Sequence, residues 1–233
     1  MERVLFMIVA CLATLPLHAQ TLTVHYRVTY HSQSPDLFAE AGLNEEMRSN
    51  LARAYKDVVM TYRLIYENGE SDFRVLLPEK KQTIVFMGQE IDPFSGLEEG
   101  RNYLYKNHKE NLSLNVTTFF GKDHIIRDSL SAGSFLVIQD QVKEILGFEC
   151  RKAISEDGKT EIWFTPHIPV RNEPFVCGLP GLILEYDDGR QCYSATDIVD
   201  TVALHVIRPD DRKAISTGEF EAMVQKITDR MRR

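Results

Sequence analysis

The sequence lacks the motifs that mark the common enzyme classes. None of its 233 residues forms part of a G-x-S-x-G nucleophile elbow, an H-E-x-x-H zinc site, a phosphate-binding loop or a dinucleotide-binding G-x-G-x-x-G. Its cysteines include no closely spaced pair of the C-x-x-C type, and its histidines are scattered. We therefore expect neither a metal site nor a cofactor.

Basic residues are too few and too dispersed for a nucleic-acid partner. The net charge is -7, and the only basic run is at residues 230–233. Nucleic acids and anionic membranes both need a basic surface, so neither is expected as a partner. The chain also lacks an uninterrupted apolar run of about 18 residues, so no transmembrane segment is predicted.

The N-terminus predicts export. Residues 1–3 carry one arginine, residues 4–17 are almost wholly apolar, and Ala19 supplies a small residue at the cleavage point. This is the three-part pattern of a secretory signal peptide, which we place at residues 1–19. The apolar segment before Cys11 is very short and continues past it, which argues against a lipid anchor there. We expect an exported protein, either in the periplasm or secreted at the cell envelope.

Three cysteines would remain after cleavage: Cys150, Cys177 and Cys192. In an oxidising compartment this odd number allows at most one disulfide within the chain. A two-residue turn at 188–189 would place Cys192 opposite Glu185. The sequence leaves the pairing open, and a buried, unreactive thiol is the commoner state of a lone cysteine.

Alternating apolar residues and short turns predict a mainly β fold. Apolar side chains alternate along residues 20–31, and Asn68-Gly69, Asp157-Gly158 and Asp188-Gly189 are hairpin signals. Further strands are expected at 58–66, 72–77, 83–87, 103–106, 112–120, 124–127, 135–138, 148–154, 160–165, 182–186, 191–198 and 201–207. Strands joined by short turns favour a curved antiparallel sheet, as an open half-barrel or a sandwich, in one domain spanning residues 20–233.

Two helices are expected outside the sheet. Asn44 is an N-cap candidate for a helical excursion that ends near Lys56. Ser216 and Glu219 form a capping-box pair at the start of a C-terminal amphipathic helix. Its apolar stripe consists of Phe220, Met223, Val224, Ile227 and Met231. Such a stripe is expected to pack on the domain's own sheet.

The region 147–198 is the densest in residues suited to ligand binding. It holds the only tryptophan, Trp163, and a segment in which two prolines flank His167 and its neighbour. Aromatic side chains with a few polar groups suit ligand sites. The predicted pocket residues are Trp163, His167, Arg171 and Tyr186, although the same side chains would also fit a sheet core and a solvated loop.

The stretch Gly178-Leu179-Pro180-Gly181-Leu182-Ile183 is the most distinctive local signal. Proline followed by glycine is the signature of a type II turn, in which Gly181 would take a positive φ. The following residues are apolar without alternation. We therefore expect a corner that leads into a strand covered on both faces.

Three elements together resemble the GLPGLI family. They are Gly147-Phe148-Glu149-Cys150-Arg151-Lys152-Ala153, then Trp163-Phe164-Thr165-Pro166 with Ile168-Pro169, and the complete hexapeptide at 178–183. The chain departs from the family pattern at Glu173-Pro174, where members tend to have Gly-Pro, and at Cys177. The resemblance implies export in the Bacteroidota and a β-rich fold, by analogy a bowl-shaped module beside a glycan-cleaving enzyme. It implies no established reaction.

Two functional hypotheses follow. The favoured one is a non-enzymatic binding or accessory module, whose partner is a small ligand, a glycan, a peptide or an envelope protein. It predicts an apolar or aromatic cleft on the curved sheet. The alternative is a hydrolase that uses Cys192 or Ser134 with His167 or His205. It predicts a nucleophile and an imidazole within about 3 Å of each other.

Overall fold

A computed structural model describes residues 21–31, 34, 38, 43–95, 97, 101–170, 174–175, 178–200 and 204–231. The predicted signal peptide at 1–19 lies outside these residues. Within them the helices are α1 (Glu45–Ala54) and α2 (Thr217–Met231). The strands are β1 (Thr21–Tyr30), β2 (Met60–Glu67), β3 (Glu70–Leu76), β4 (Ile84–Phe86), β5 (Gln89–Ile91), β6 (Tyr103–Asn107), β7 (Leu112–Phe119), β8 (Lys122–Asp128), β9 (Phe135–Ile145), β10 (Phe148–Ser155), β11 (Glu161–Thr165), β12 (Leu182–Asp187), β13 (Gln191–Asp200) and β14 (Ile215–Ser216).

Twelve of these strands form one curved, open sheet in the order β14-β8-β7-β6-β3-β2-β1-β13-β12-β11-β10-β9. Neighbours pair antiparallel, except that β14 runs parallel to β8. The other two strands, β4 and β5, form a separate hairpin. The mainly β fold with a curved antiparallel sheet is therefore confirmed. β1 lies in the interior of the sheet and joins its two halves.

β1 buries one side-chain row almost completely, because its apolar residues alternate. Val24, Tyr26 and Val28 have no exposed surface. On the β13 side the register shifts between His25 and Tyr26. Such a bulge adds an unpaired residue to one strand and increases the local twist.

Glycine turns join several of the strands. Asn68 and Gly69 have φ values of 53° and 88°, the conformation of a type I′ turn, and join β2 to β3 as predicted. Met87 and Gly88 have φ values of 52° and 77° and join β4 to β5 in the same way. The predicted strand at 83–87 thus becomes one arm of a hairpin whose second arm was not predicted.

α1 begins at the predicted N-cap. The Asn44 side chain accepts a hydrogen bond from the Met47 amide at 2.8 Å. This contact satisfies one of the amide groups that the first helical turn leaves unpaired. No helix in the described part of the chain is both long and apolar enough to cross a bilayer.

α2 contacts the sheet at its first turns. The predicted capping box is present, because Ser216 N donates to Glu219 Oε2 at 2.8 Å and Glu219 N donates to Ser216 Oγ at 3.3 Å. Phe220 lies edge-on to Phe119, with ring centroids 5.7 Å apart. The next stripe residues are only half-buried: Met223, Val224 and Ile227. The Met231 side chain lies outside the described part, so packing on the sheet holds for Phe220 and weakens beyond it.

Residues 204–213, the strap, replace the C-terminal end of the strand predicted at 201–207. Residues 204–210 have no regular secondary structure, and residues 201–203 lie outside the described part. The Val206 amide donates to Glu67 Oε2 at 3.4 Å. A side-chain carboxylate therefore accepts the hydrogen bond that a neighbouring strand would otherwise take.

The strap crosses one face of the sheet towards its edge. The Ile207 amide donates to Asp72 Oδ2 on β3 at 3.4 Å, and Arg208 pairs with Glu110 at 2.6 Å. The strap ends in a short 3-10 helix, Asp211–Lys213, which leads into β14. Polar contacts thus fix the path by which the chain returns to the β8 edge.

The GLPGLI corner differs from the predicted type II turn. The positive φ belongs to Gly178, at 113°, and Gly181 has none. Gly181 is required for a different reason, since a Cβ placed there would lie 2.0 Å from Thr165 O and 2.9 Å from Pro166 Cα. The strand covered on both faces is present, and its first three residues have no exposed surface: Leu182, Ile183 and Leu184.

Cys150 and Cys192 are both free thiols. They lie on β10 and β13 with two strands between them, a separation near 14 Å that no disulfide spans. Cys192 pairs with Asp187 and not with Glu185, because the β12–β13 turn lies one residue later than predicted. Cys177 lies outside the described residues.

Candidate ligand-binding site

One face of the sheet carries a continuous cluster of aromatic rings. Tyr26 of β1 pairs with Tyr62 of β2, and Tyr186 of β12 pairs with Tyr193 of β13. Directly paired residues place their side chains on the same face of a sheet. The six rings, called the ring cluster, are Tyr26, Tyr62, Phe73, Phe175, Tyr186 and Tyr193.

Phe175 and Tyr193 connect the two sides of the ring cluster. Phe175 stacks on Tyr186 with centroids 4.7 Å apart and planes at 12°, and its centroid also lies 4.7 Å from that of Tyr193. Tyr62 stacks on Phe73 at 5.0 Å and 13°, and meets Tyr193 at 5.6 Å. Each such contact contributes about 0.5–1.5 kcal/mol beyond the area that it buries.

The ring cluster is partly core and partly surface. Tyr26 is fully buried, and its hydroxyl donates to the Ile183 carbonyl at 2.8 Å. By contrast, Tyr62 and Tyr193 are half-buried, and neither hydroxyl hydrogen-bonds another residue that the structure describes. A partly exposed aromatic surface, with hydroxyls that have no partner among the described residues, offers both apolar contact and polar groups to a ligand.

Burial raises the pKa of the Tyr62 and Tyr193 phenols above the usual value of 10.0. For Tyr193, the neighbouring Tyr62 phenol raises the pKa further. Both phenols therefore stay neutral through the physiological pH range. The ring cluster carries no charge of its own under those conditions.

We expect the protein to lose stability as the pH rises above about 10. A raised pKa means that the folded state binds the phenolic proton more tightly than the unfolded chain. This stabilisation is complete below the unfolded pKa and is lost as the pH rises through the folded pKa. Tyrosinate absorbance should show Tyr62 and Tyr193 ionising later than in the urea-unfolded chain. Ionisation of all nine tyrosines near pH 10 in a protein that stays folded would contradict this.

A cavity of about 210 Å³ adjoins the ring cluster and shares Tyr62 and Phe73 with it. Phe73 pairs with Leu104, and Leu104 pairs with Asn115, which places these three side chains on one face. The wall consists of Tyr62, Phe73, Val75, Leu97, Asn102, Tyr103, Leu104, Asn115, Val116 and Thr117. None of these described wall residues carries a charge.

Polar groups on the cavity wall have few partners within the protein. Asn102 Oδ1 accepts a hydrogen bond from the Thr118 amide at 3.1 Å, which fixes this side chain, and its NH2 group has no partner among the described residues. Three further groups make no hydrogen bond to any residue that is described: the Tyr62 hydroxyl, the Asn115 carboxamide and the Thr117 hydroxyl. The cavity therefore combines an apolar wall with four groups that are available to a ligand.

The three predicted pocket residues that the structure describes do not come together. Trp163 pairs with Glu185, so it lies on the opposite face from the adjacent residue Tyr186, because side chains alternate along a strand. His167 is exposed in the turn after β11. Arg171 lies outside the described residues. Only Tyr186 belongs to the ring cluster.

Trp163 sits among ion pairs. Lys143 Nζ lies 4.4 Å from the centre of its ring and 2.8 Å from Glu185 Oε1. Lys152 Nζ lies 5.9 Å from the same ring centre and 2.6 Å from Glu161 Oε2. The charged groups around the indole are therefore paired with one another.

The structure does not form the nucleophile–histidine pairs of the hydrolase hypothesis. Cys192 Sγ lies 3.6 Å from Ser194 Oγ, and His205 contacts the Glu67 carboxylate at 3.2 Å. Burial raises the pKa of the Cys192 thiol, whereas a nucleophilic thiolate needs a lowered pKa. Ser134 and His167 are both exposed. Within the described ranges, no group of three or more His, Cys, Asp or Glu side chains is placed to hold a metal ion.

A second pocket, of about 450 Å³, lies at the end of the sheet beside the β10–β11 and β12–β13 turns. Its acidic groups already have partners. Asp187 accepts from His31 Nε2 at 2.9 Å, and Glu161 pairs with Lys152 at 2.6 Å. The ring cluster and its cavity are the better candidate site, because several of their polar groups, among them the Tyr62 hydroxyl and the Asn115 carboxamide, have no hydrogen-bond partner among the described residues.

Sequence reasoning missed five of the six rings. Part of the signal was present, because the Asn68-Gly69 turn sets Glu67 opposite Glu70 and so brings Leu64 opposite Phe73. By contrast, no short turn connects β1 to β2, so no local signal predicts that Tyr26 lies opposite Tyr62. Phe175 lies outside any strand, and no periodicity predicts its position.

No protein-family model and no curated protein matches the chain. Among solved structures, that of PNGF-II in the C2 space group is similar, with a TM-score of 0.54 and 15% identity over 89% of this chain. PNGF-II in the P21 space group gives a TM-score of 0.53 at 15% identity over 89% of this chain. The chain spans about a third of the length of the solved chains it matches, 33% and 34% respectively. At this identity the similarity shows a shared fold alone.

Proposed function

We propose that this chain is a non-enzymatic binding module that holds its ligand against the ring cluster and the adjoining cavity. The observation that carries the proposal is a cavity in which partly exposed rings adjoin four polar groups that have no partner among the described residues, and whose described wall residues carry no charge. Ligand sites in proteins typically have this composition, apolar and aromatic with a few polar groups that fix orientation.

The proposal includes export and membership of the GLPGLI family. Residues 1–19 have the composition of a secretory signal peptide, and the hexapeptide at 178–183 is complete. The module would then meet its ligand outside the cytoplasm, in the periplasm or at the cell envelope. An accessory role beside other envelope proteins fits this location.

Filling the cavity is expected to abolish binding. Asn115 is exposed on β7, so an Asn115→Trp variant should fold and place an indole where the ligand would lie. Saturation-transfer NMR with the purified chain would use neutral oligosaccharides, short peptides and a fatty acid as probes. We expect at least one probe to bind, and Asn115→Trp to weaken that binding about tenfold or more, a loss of about 1.4 kcal/mol.

Two further variants serve as controls. Gln139→Trp adds the same side chain at an exposed position on β9, far across the sheet, and should leave binding unchanged. Trp163→Phe tests the opposite face and should also leave it unchanged. Loss of binding in Trp163→Phe with retention in Asn115→Trp would move the site to the other face and overturn the proposal. Absence of any probe binding that depends on Asn115 would also overturn it.

A further inference from the structure

We infer that the cavity beside the ring cluster takes one residue of a neutral saccharide. The inference rests on the proposed function and names its ligand class. It depends on three properties of the cavity wall: the absence of charge among the described residues, the unengaged polar groups and the size of the space.

The absence of charge selects against ionic ligands. Of the whole chain, 26% of the residues are charged, yet none of the described wall residues is Asp, Glu, Lys or Arg. A carboxylate, phosphate or ammonium group placed against these described wall residues would find no side chain of opposite charge among them. The described part of the wall therefore favours a neutral occupant.

The unengaged polar groups select against purely apolar ligands. Carboxamides and hydroxyls both donate and accept hydrogen bonds, and the wall offers the amides of Asn102 and Asn115 and the hydroxyls of Tyr62 and Thr117. An acyl chain would cover these groups without pairing them, which disfavours it as the occupant. Sugar hydroxyls also donate and accept, so they match this set.

The apolar side of the wall matches the other half of a sugar. A pyranose has a ring face of C–H groups and an edge of hydroxyls. Leu104 and the Tyr62–Phe73 stack form an apolar wall on one side, while Asn115 projects from the strand next to Leu104. The amphipathic tyrosine contributes both an apolar ring and a polar tip.

The volume limits the occupant to one sugar residue in the cavity itself. About 210 Å³ is below the usual range of pockets for drug-sized ligands, about 300–1,000 Å³. The remaining residues of an oligosaccharide would extend over the half-exposed rings of Tyr186 and Tyr193. A single small residue in the cavity corresponds to weak affinity, on the order of millimolar.

The test compares oligosaccharides that differ mainly in charge. Calorimetric titration of the purified chain would use glucose, mannose and N-acetylglucosamine oligomers as neutral probes. Glucosamine oligomers serve as the cationic counterpart and galacturonate oligomers as the anionic one. We expect at least one neutral series to bind and the charged series to bind about tenfold more weakly or worse. Equal or tighter binding of a charged series would overturn the inference.

Matched amide-to-acid variants locate the effect. Asn115→Asp introduces a carboxylate into the cavity and removes an amide donor, and it should weaken neutral-saccharide binding about five- to tenfold. Gln139→Glu makes the same chemical change at a distant exposed position, and binding should stay within about twofold. Equal effects of the two variants would overturn the inference.

Two outcomes separate this inference from the proposed function. Binding of a fatty acid or a peptide that Asn115→Trp abolishes, without any saccharide binding, leaves the binding module intact and overturns the saccharide assignment. Absence of every Asn115-dependent binding event overturns both.

Discussion

Gly181→Ala is expected to destabilise the protein more than any other glycine-to-alanine change among the described residues, by about 3 kcal/mol or more. The added Cβ would lie 2.0 Å from Thr165 O, 2.7 Å from Thr165 C and 2.9 Å from Pro166 Cα. All three are backbone atoms, so no side-chain rotation relieves the contact. The end of β11 and the start of β12 would have to move apart, where Thr165 pairs with Leu182.

Urea denaturation would measure this loss as a lower midpoint at unchanged slope. Gly178→Ala provides a comparison, since its φ of 113° strains any other residue but its nearest neighbour atom would lie 3.7 Å away. It should cost less than Gly181→Ala. Gly218→Ala in α2 meets no atom within 4 Å and should leave the midpoint equal or slightly higher. If Gly178→Ala lowers the urea midpoint more than Gly181→Ala does, then the positive φ of Gly178, and not the close approach of Gly181 to Thr165, is the main constraint on this corner.

The sequence predicts most of the strands, because their signals are local. Alternation along β1, the Asn68-Gly69 turn and the capping pair of Ser216 with Glu219 depend on neighbours within a few residues. The same holds for the covered strand that begins at Leu182. These elements require no knowledge of how distant strands pair.

The predicted pocket residues Trp163 and Tyr186 lie on opposite faces of the sheet, because the face of a residue depends on register. Trp163 and Tyr186 lie on adjacent strands, but Trp163 pairs with Glu185, and the register shifts again between Trp163 and Phe164. Each bulge changes which residues share a face beyond it. Hydrophobic pattern alone does not locate bulges, so it does not decide which aromatic residues meet.

Local sequence patterns also do not predict where two distant segments of backbone come into close contact. Pro180-Gly181 is typical of a type II turn, yet the glycine is needed because Thr165 on the preceding strand comes within contact distance. The strand predicted at 201–207 is not formed by residues 204–207 of the strap, for a related reason. The strap's amides bond to the carboxylates of Glu67 and Asp72, which lie 139 and 135 residues earlier in the chain.

Breaking the buried ion pair of β3 is expected to have an effect as large as that of Gly181→Ala. Asp72 is fully buried, and Arg74 is 8% exposed. Arg74 Nε donates to Asp72 Oδ1 at 2.7 Å, and a second guanidinium nitrogen contacts the other carboxylate oxygen. Arg74→Met would leave the Asp72 carboxylate buried without a cation, at a cost of about 3–5 kcal/mol.

A double variant distinguishes the interaction between Asp72 and Arg74 from the contacts that each side chain makes with other residues. Asp72→Asn combined with Arg74→Met removes both charges, so it should cost less than the sum of the two single changes. The carboxamide oxygen of Asp72→Asn can still accept the hydrogen bond from the Ile207 amide. The contact of the Arg74 guanidinium with the Tyr103 ring, whose centroid lies 4.5 Å from the guanidinium carbon, is lost in the double variant as it is in Arg74→Met. Strictly additive losses would show that the two charges do not stabilise each other.

The chain contains a matched pair at the surface. Asp210 and Arg212 have the same types and the same spacing, and the Arg212 guanidinium likewise contacts both carboxylate oxygens, with Nη2 2.5 Å from Oδ2. Their side chains, however, are 60% and 86% exposed. Water and salt screen this pair, so Arg212→Met should leave the urea midpoint unchanged while Arg74→Met lowers it. Because geometry and chemistry are shared, a difference between the two variants measures what burial adds to an ion pair, and equal effects would remove burial as the explanation.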